Sequence, residues 1–233
     1  MTAELSDARL TYLLALGTGE ILKGVRNVGL LRGRTLGDAG DELAQSWIAR
    51  VLEQHRPDDG FLSEEAADNP SRLKRDRVWI IDPLDGTKEF ATGRQDWAVH
   101  IALVENGAPV NAAVGLPDLG VVFRSDDVRA VTGPYAKKIA ISHNRPPAVT
   151  QWVAQQLGSE TVPLGSAGAK AMHVLLGDSD ATSTLVVSTN GIPPHRLECA
   201  RLPAYIARAS MVPSWSTTRT IRTCRTCSSA AQS

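Results

Sequence analysis

Asp82 and Asp85 are separated only by Pro83 and Leu84 in the stretch Ile81-Asp82-Pro83-Leu84-Asp85-Gly86-Thr87-Lys88-Glu89-Phe90. Two carboxylates this close repel each other unless a cation lies between them. Ligands that are all oxygen suit Mg²⁺, which is commonly held by a few carboxylates together with a substrate phosphate. Eighteen residues before Asp82 stands Glu64, within Ser63-Glu64-Glu65, so a neighbouring element can bring up a third carboxylate. The plain structural alternative is a turn leading into a capped helix, because P-x-D-G is ordinary turn chemistry. The upstream Glu64-Glu65 pair is what favours a cation site.

The surrounding elements must hold these groups in place. Residues 78–81 form a continuous apolar run rich in β-branched side chains, the pattern of a strand buried on both faces. Asp82 then falls at the strand's C-terminal end, where open sheets bind ligands. Pro83 stiffens the exit, Gly86 allows a tight turn, and Thr87 offers a hydroxyl and an N–H at a helix start. Upstream, Ser6-Asp7 caps a helix carrying Leu10, Leu14, Ile21, Leu22 and Val25, with Gly17 and Gly19 weakening its middle. Residues 30–37 read as a basic connector. A second helix follows with Leu43, Trp47, Ile48 and Leu52, and Asp41 at its start in the role of an N-cap.

Residues 66–77 are polar and charged, an exposed loop. Residues 97–104, 110–116 and 121–123 make an antiparallel meander, in which His100 is read as packed or solvent-facing rather than catalytic. Residues 139–141 and 161–164 are short strands alternating with helices that begin after Pro147 and after Ser166. The small-residue turn Gly165-Ser166-Ala167-Gly168 either presents backbone N–H groups to an anion or caps a helix packed closely on a sheet.

Taken together, S-E-E followed by W-I-I-D-P-L-D-G-T-K-E-F resembles the inositol monophosphatase superfamily, and the K-E-F ending resembles its CysQ-type branch, the 3′-phosphoadenosine 5′-phosphate phosphatases. The likeness runs from about Leu10 to about Asp180. It implies an α+β fold, a layered α-β-α-β-α sandwich, and a Mg²⁺-dependent phosphatase without a covalent intermediate. By the same resemblance Glu64, Asp82, the carbonyl of Leu84, and Asp85 would bind metal. Glu65 and Thr87, with Asp41, would orient the attacking water. Gly86, Thr87 and Ser166 would contact the substrate. Inositol monophosphate and fructose 1,6-bisphosphate remain open as substrates, and a homodimer is possible.

Composition sets outer limits. Lys+Arg 25 against Asp+Glu 25 gives no basic excess, which argues against a nucleic-acid polymer as partner. No apolar run reaches membrane-spanning length. The acidic N-terminus lacks the apolar core of a signal peptide, so the expected location is cytoplasmic. Cys199, Cys224 and Cys227 are odd in number and confined to one end, which is no disulfide framework.

After Asp180 the family pattern stops. A relative would continue through a strand into W-D-x-A-A, whose Asp is a further metal carboxylate and opens a core helix; here residues 181–195 contain no W-D and no periodic helix. Back-translated with permitted codons and moved by one base, the same segment can read through W-D-S-A-A. The tail is therefore expected to be frameshifted, which divides the chain into residues 1–136 carrying the metal site, 137–181 beginning a second α/β part, and 182–233. Without that Asp, turnover is expected to be impaired, and a non-catalytic remnant is the competing reading. Genomic sequence with no W-D-x-A-A in any frame would refute the frameshift.

Overall fold

The computed structural model describes residues 5–65, 70–127, 134–146 and 148–182. Helix α1 (Asp7–Val28) opens with the Ser6 hydroxyl accepting the Arg9 amide at 3.3 Å and closes on Gly29 at φ 72°, the left-handed residue expected past a helix end. Its Leu10, Leu14 and Leu22 face the main core. Gly17 and Gly19 do not interrupt it. They are contact points, since a Cβ there would strike Trp47 and Pro117 respectively.

Helix α2 (Gly33–His55) begins well before the expected start. The connector shrinks to residues 30–32, and Asp41 lies in the helix interior, buried, rather than at the cap. Gly37 and Gly40 look like breakers in sequence, but tertiary contact explains them. A Cβ on Gly37 would come 2.8 Å from Thr87 Cγ2, and one on Gly40 would come 3.0 Å from Phe90 Cε1. The two glycines let α2 lie against helix α3 (Thr87–Ala91).

Strand β2 (Arg77–Asp85) is the second strand of a five-stranded sheet ordered β1-β2-β3-β4-β5. It pairs in parallel with β1 (Gly60–Ser63) and antiparallel with β3 (Ala98–Glu105). Strands β4 (Ala108–Leu116) and β5 (Val121–Arg124) complete the meander. β2 does not stop at Asp82: it pairs through Asp82↔His100, slips register, and resumes at Asp85↔Ala98. Pro83, which has no N–H for the ladder, sits inside the slip. Between β1 and β2 the expected loop contains a 3₁₀ turn, Pro70–Lys74, and gives way to strand at Arg77.

A second sheet is parallel among the described residues, ordered β7-β6-β8 from β6 (Lys138–Ser142), β7 (Glu160–Leu164) and β8 (Ala181–Thr182). Helix α5 (Ala167–Leu175) lies between the sheets, touching β3 and β4 on one side and β6 and β8 on the other. Helix α4 (Ala148–Leu157) covers β6 and β7 from outside. The layers run α1/α2, first sheet, α5, second sheet, α4, the α-β-α-β-α order expected. Trp79 and Ile81 of β2 point into the core beneath α1 and α2, and Ile80 packs into the core beneath α5. No helix among the described residues is long and apolar enough to cross a membrane. Residues 183–233, which hold all three cysteines and the expected tail apart from Thr182, lie outside the described residues.

Candidate metal and phosphate site

Parallel pairing of β1 with β2 sets Ser63 beside Ile81, and the Glu64 amide donates to the Ile81 carbonyl at 3.3 Å. Glu64 therefore leaves β1 alongside Asp82 even though eighteen residues separate them in sequence. Burial, then the charges of Asp85, Glu64 and Asp41, push the Asp82 carboxyl well above the ordinary carboxylate range. Donor atoms of Asp82, Asp85 and His100 all lie within 4.8 Å of one another.

Asp85 behaves in the opposite way. Burial opposes its ionisation, but the His100 hydrogen bond, the Gly168 amide and Lys170 outweigh that and hold its carboxyl below the ordinary range. His100 Nε2 lies 2.8 Å from Asp85 Oδ2. The Gly168 and Ala167 amides donate to Oδ2 and Oδ1 at 2.6 and 3.2 Å. The N-terminus of α5 does bind an anion, as the small-residue turn suggested, but that anion is Asp85 of the same chain. Ser166 is buried and caps α5, its hydroxyl accepting the Ala169 amide at 2.9 Å.

Asp41 reaches the site from α2. Burial, reinforced by Glu65, raises its carboxyl to about 7, and a hydrogen bond from Thr87 partly counters this. The Thr87 hydroxyl also lies 3.2 Å from the Leu84 carbonyl. It has one proton to give, so only one of the two acceptors can take it at a time. Asp41 and Glu65, with Asp38, Glu42, Gln45 and Ser46, line a cleft of about 400 Å³. Gly86 caps α3 at φ 94°, and a Cβ there would come 3.0 Å from Ser166 Cβ, so these two expected substrate contacts are neighbours.

The site thus gathers Glu64, Asp82, Leu84, Asp85, Gly86 and Thr87 at one end of β1 and β2, with Asp41 and Glu65 on the cleft and Ser166 behind. Sequence reasoning gave no role to three participants. His100 is packed, as expected, but against Asp85. Lys170 is buried and donates to the Gly165 and Ser166 carbonyls at 2.8 and 2.7 Å; burial lowers its ammonium pKa despite Asp85, Glu89 and Asp96 nearby. Glu89 is buried and accepts Asn144 Nδ2 at 2.5 Å, tying α3 to the loop after β6. A short hairpin between β2 and β3 would have revealed His100 opposite Asp82, but α3 intervenes and hides the register.

The family model described as "Inositol monophosphatase family" matches residues 13–187. The chain belongs to the inositol monophosphatase family. Within that family it is 51% identical over 195 residues to the 3′-phosphoadenosine 5′-phosphate phosphatase of Mycobacterium leprae, an alignment covering 77% of this chain and 72% of that protein. It is 36% identical over 145 residues to the 3′(2′),5′-bisphosphate nucleotidase CysQ of Salmonella typhimurium, covering 55% of this chain and 58% of the relative. Among solved structures, inositol monophosphatase-II from Staphylococcus aureus superposes with a TM-score of 0.65 at 18% identity, over 85% of this chain and 80% of the other, which supports the fold.

Proposed function

We propose that the chain acts as a Mg²⁺-dependent phosphomonoesterase, a 3′(2′),5′-bisphosphate nucleotidase whose substrate is 3′-phosphoadenosine 5′-phosphate. The observation that carries this reading is the 51% identity to a phosphatase of that name, in a chain where the charges of Asp85, Glu64 and Asp41 all act on Asp82. Burial, reinforced by repulsion from Asp85, Glu64 and Asp41, pushes Asp82 well above its ordinary range, so a cation there would relieve the crowding of acidic groups. The donor set of carboxylates and a backbone carbonyl suits a hard divalent ion.

Glu64, Asp82, the Leu84 carbonyl and Asp85 would hold Mg²⁺. When bound, the ion supplies an acidified water and neutralises charge on the phosphate and leaving oxygen. The rest falls to the chain's own side chains. With its carboxyl near 7, Asp41 is suited to accept a proton near neutral pH. If the Leu84 carbonyl turns to a cation, the Thr87 proton goes to Asp41 and fixes its orientation. Glu65 faces the same cleft and helps align water. The start of α3 at Gly86 and Thr87 faces the phosphate, and Ser166 buttresses that turn. A homodimer and a cytoplasmic location complete the reading; sedimentation velocity checks the first.

The test is phosphate release from 3′-phosphoadenosine 5′-phosphate, inositol monophosphate and fructose 1,6-bisphosphate with Mg²⁺ titrated. The nucleotide is expected to turn over fastest and only with divalent cation. Faster release from either sugar phosphate, or release independent of metal, would overturn the assignment. A parallel chain with the W-D-x-A-A frame restored tests the impairment, and near-equal rates for the two would refute it.

A further inference from the structure

We infer that His100 is a positioning residue that makes Asp85 a one-oxygen ligand, filling Oδ2 together with the start of α5 and leaving a single lone pair on Oδ1 to face the cation. The inference rests on the proposed metal role of Asp85 and extends it to a residue outside the expected set.

An ionised carboxylate offers about four lone-pair positions. His100 Nε2 and the Gly168 amide meet Oδ2 at 2.8 and 2.6 Å, and the Ala167 amide meets Oδ1 at 3.2 Å. Three positions are taken, two of them on Oδ2. What remains belongs to Oδ1, so Asp85 engages a cation through one oxygen in one direction.

The imidazole is held for this task. His100 is 1% exposed, and its Nδ1 is buried with no hydrogen-bond partner among the described residues. A proton on Nδ1 would be buried and unpaired, which is costly. The proton therefore sits on Nε2, where it is donated to Asp85. Gly168 locks the ring from the other side, because a Cβ there would come 2.6 Å from His100 Nε2 and 2.7 Å from Ala98 Cβ. Strand β3 contributes the ring, and α5 contributes both the amides and the wall. Hydrogen bonds to a ligating carboxylate of this kind govern metal affinity as well as orientation.

The experiment is Mn²⁺ binding to the full chain, followed by loss of the free-ion electron paramagnetic resonance signal, with Mg²⁺ as competitor and circular dichroism as the check on folding. His100→Leu is expected to weaken Mn²⁺ binding by roughly tenfold or more. His100→Gln, which keeps an N–H donor at similar reach, is expected to restore it to within about threefold. His100→Asn keeps the amide but is one methylene too short, and it should behave like His100→Leu; the Gln and Asn pair carries the comparison if the leucine variant does not fold. Folded leucine or asparagine variants that bind Mn²⁺ as tightly as wild type would overturn the role of His100 alone. A wild-type chain that binds no Mn²⁺, or binds it unchanged after Asp85→Asn, would overturn the metal reading and this inference with it.

Discussion

Asp82 and Asp85 share one strand and one chemistry, yet their surroundings drive their proton affinities apart. Asp82 meets burial and three other carboxylates and is pushed up. Asp85 meets burial too, but an imidazole, a backbone amide and Lys170 more than offset it. Asp82 is therefore the group that most needs a counter-ion, and Asp85 is already satisfied without one. Replacing Asp82 with Asn is expected to raise the melting temperature of the metal-free chain by a few degrees, because it removes repulsion, and to abolish the further rise on adding Mg²⁺. Thermal melts with and without Mg²⁺ check both halves of this expectation. A variant that melts lower without metal and keeps its Mg²⁺ response would place the ion elsewhere.

Among the elements, α5 joins the two sheets and also grips the site. Gly168 is the point of closest approach, where an added Cβ would come within 3.0 Å of both His100 and Ala98. Gly168→Ala gains helix propensity of about 1 kcal/mol, but overpacking against β3 costs about 1–3 kcal/mol. The net expectation is a lower urea midpoint together with weaker metal binding. Asp96 ties the same turn down by accepting the Gly165 amide at 2.7 Å and pairing with Arg94. Burial disfavours its charge, but Arg94 and the Gly165 amide prevail, and its carboxyl lies below the ordinary 3.8. A depressed carboxyl contributes stability above the unfolded value that is lost as pH falls through the folded one. Asp96→Asn should therefore lower stability at neutral pH and flatten its decline below about pH 4. An acid-unfolding series in which wild type and variant fall in parallel would count against this role.

At the scale of the whole molecule, the described residues place three strands in the second sheet, with β8 at one edge beside β6. A chain carrying the expected W-D-x-A-A segment after Asp180 is expected to gain core on that side, with a melting temperature higher by several degrees and faster turnover; differential scanning calorimetry of the two chains decides it. Residues 79–81, the D-P-x-D-G turn and Glu64-Glu65 were legible from the start, because a strand, a turn and an acidic pair are local patterns in which periodicity and residue type carry the information. The layered order followed from resemblance, and the strand meander from alternating apolar runs. Asp41 was named but misplaced at a helix start, since Gly37 and Gly40 look like breakers until Thr87 and Phe90 are seen pressing against them. His100 could not be assigned to Asp85, because α3 separates the two strands and leaves their register undetermined. The sequence by itself determined which acidic groups exist and which strand presents them; only the tertiary structure decided which donors saturate each carboxylate, because hydrogen-bond partners 15 and 83 residues away meet through packing rather than through chain proximity.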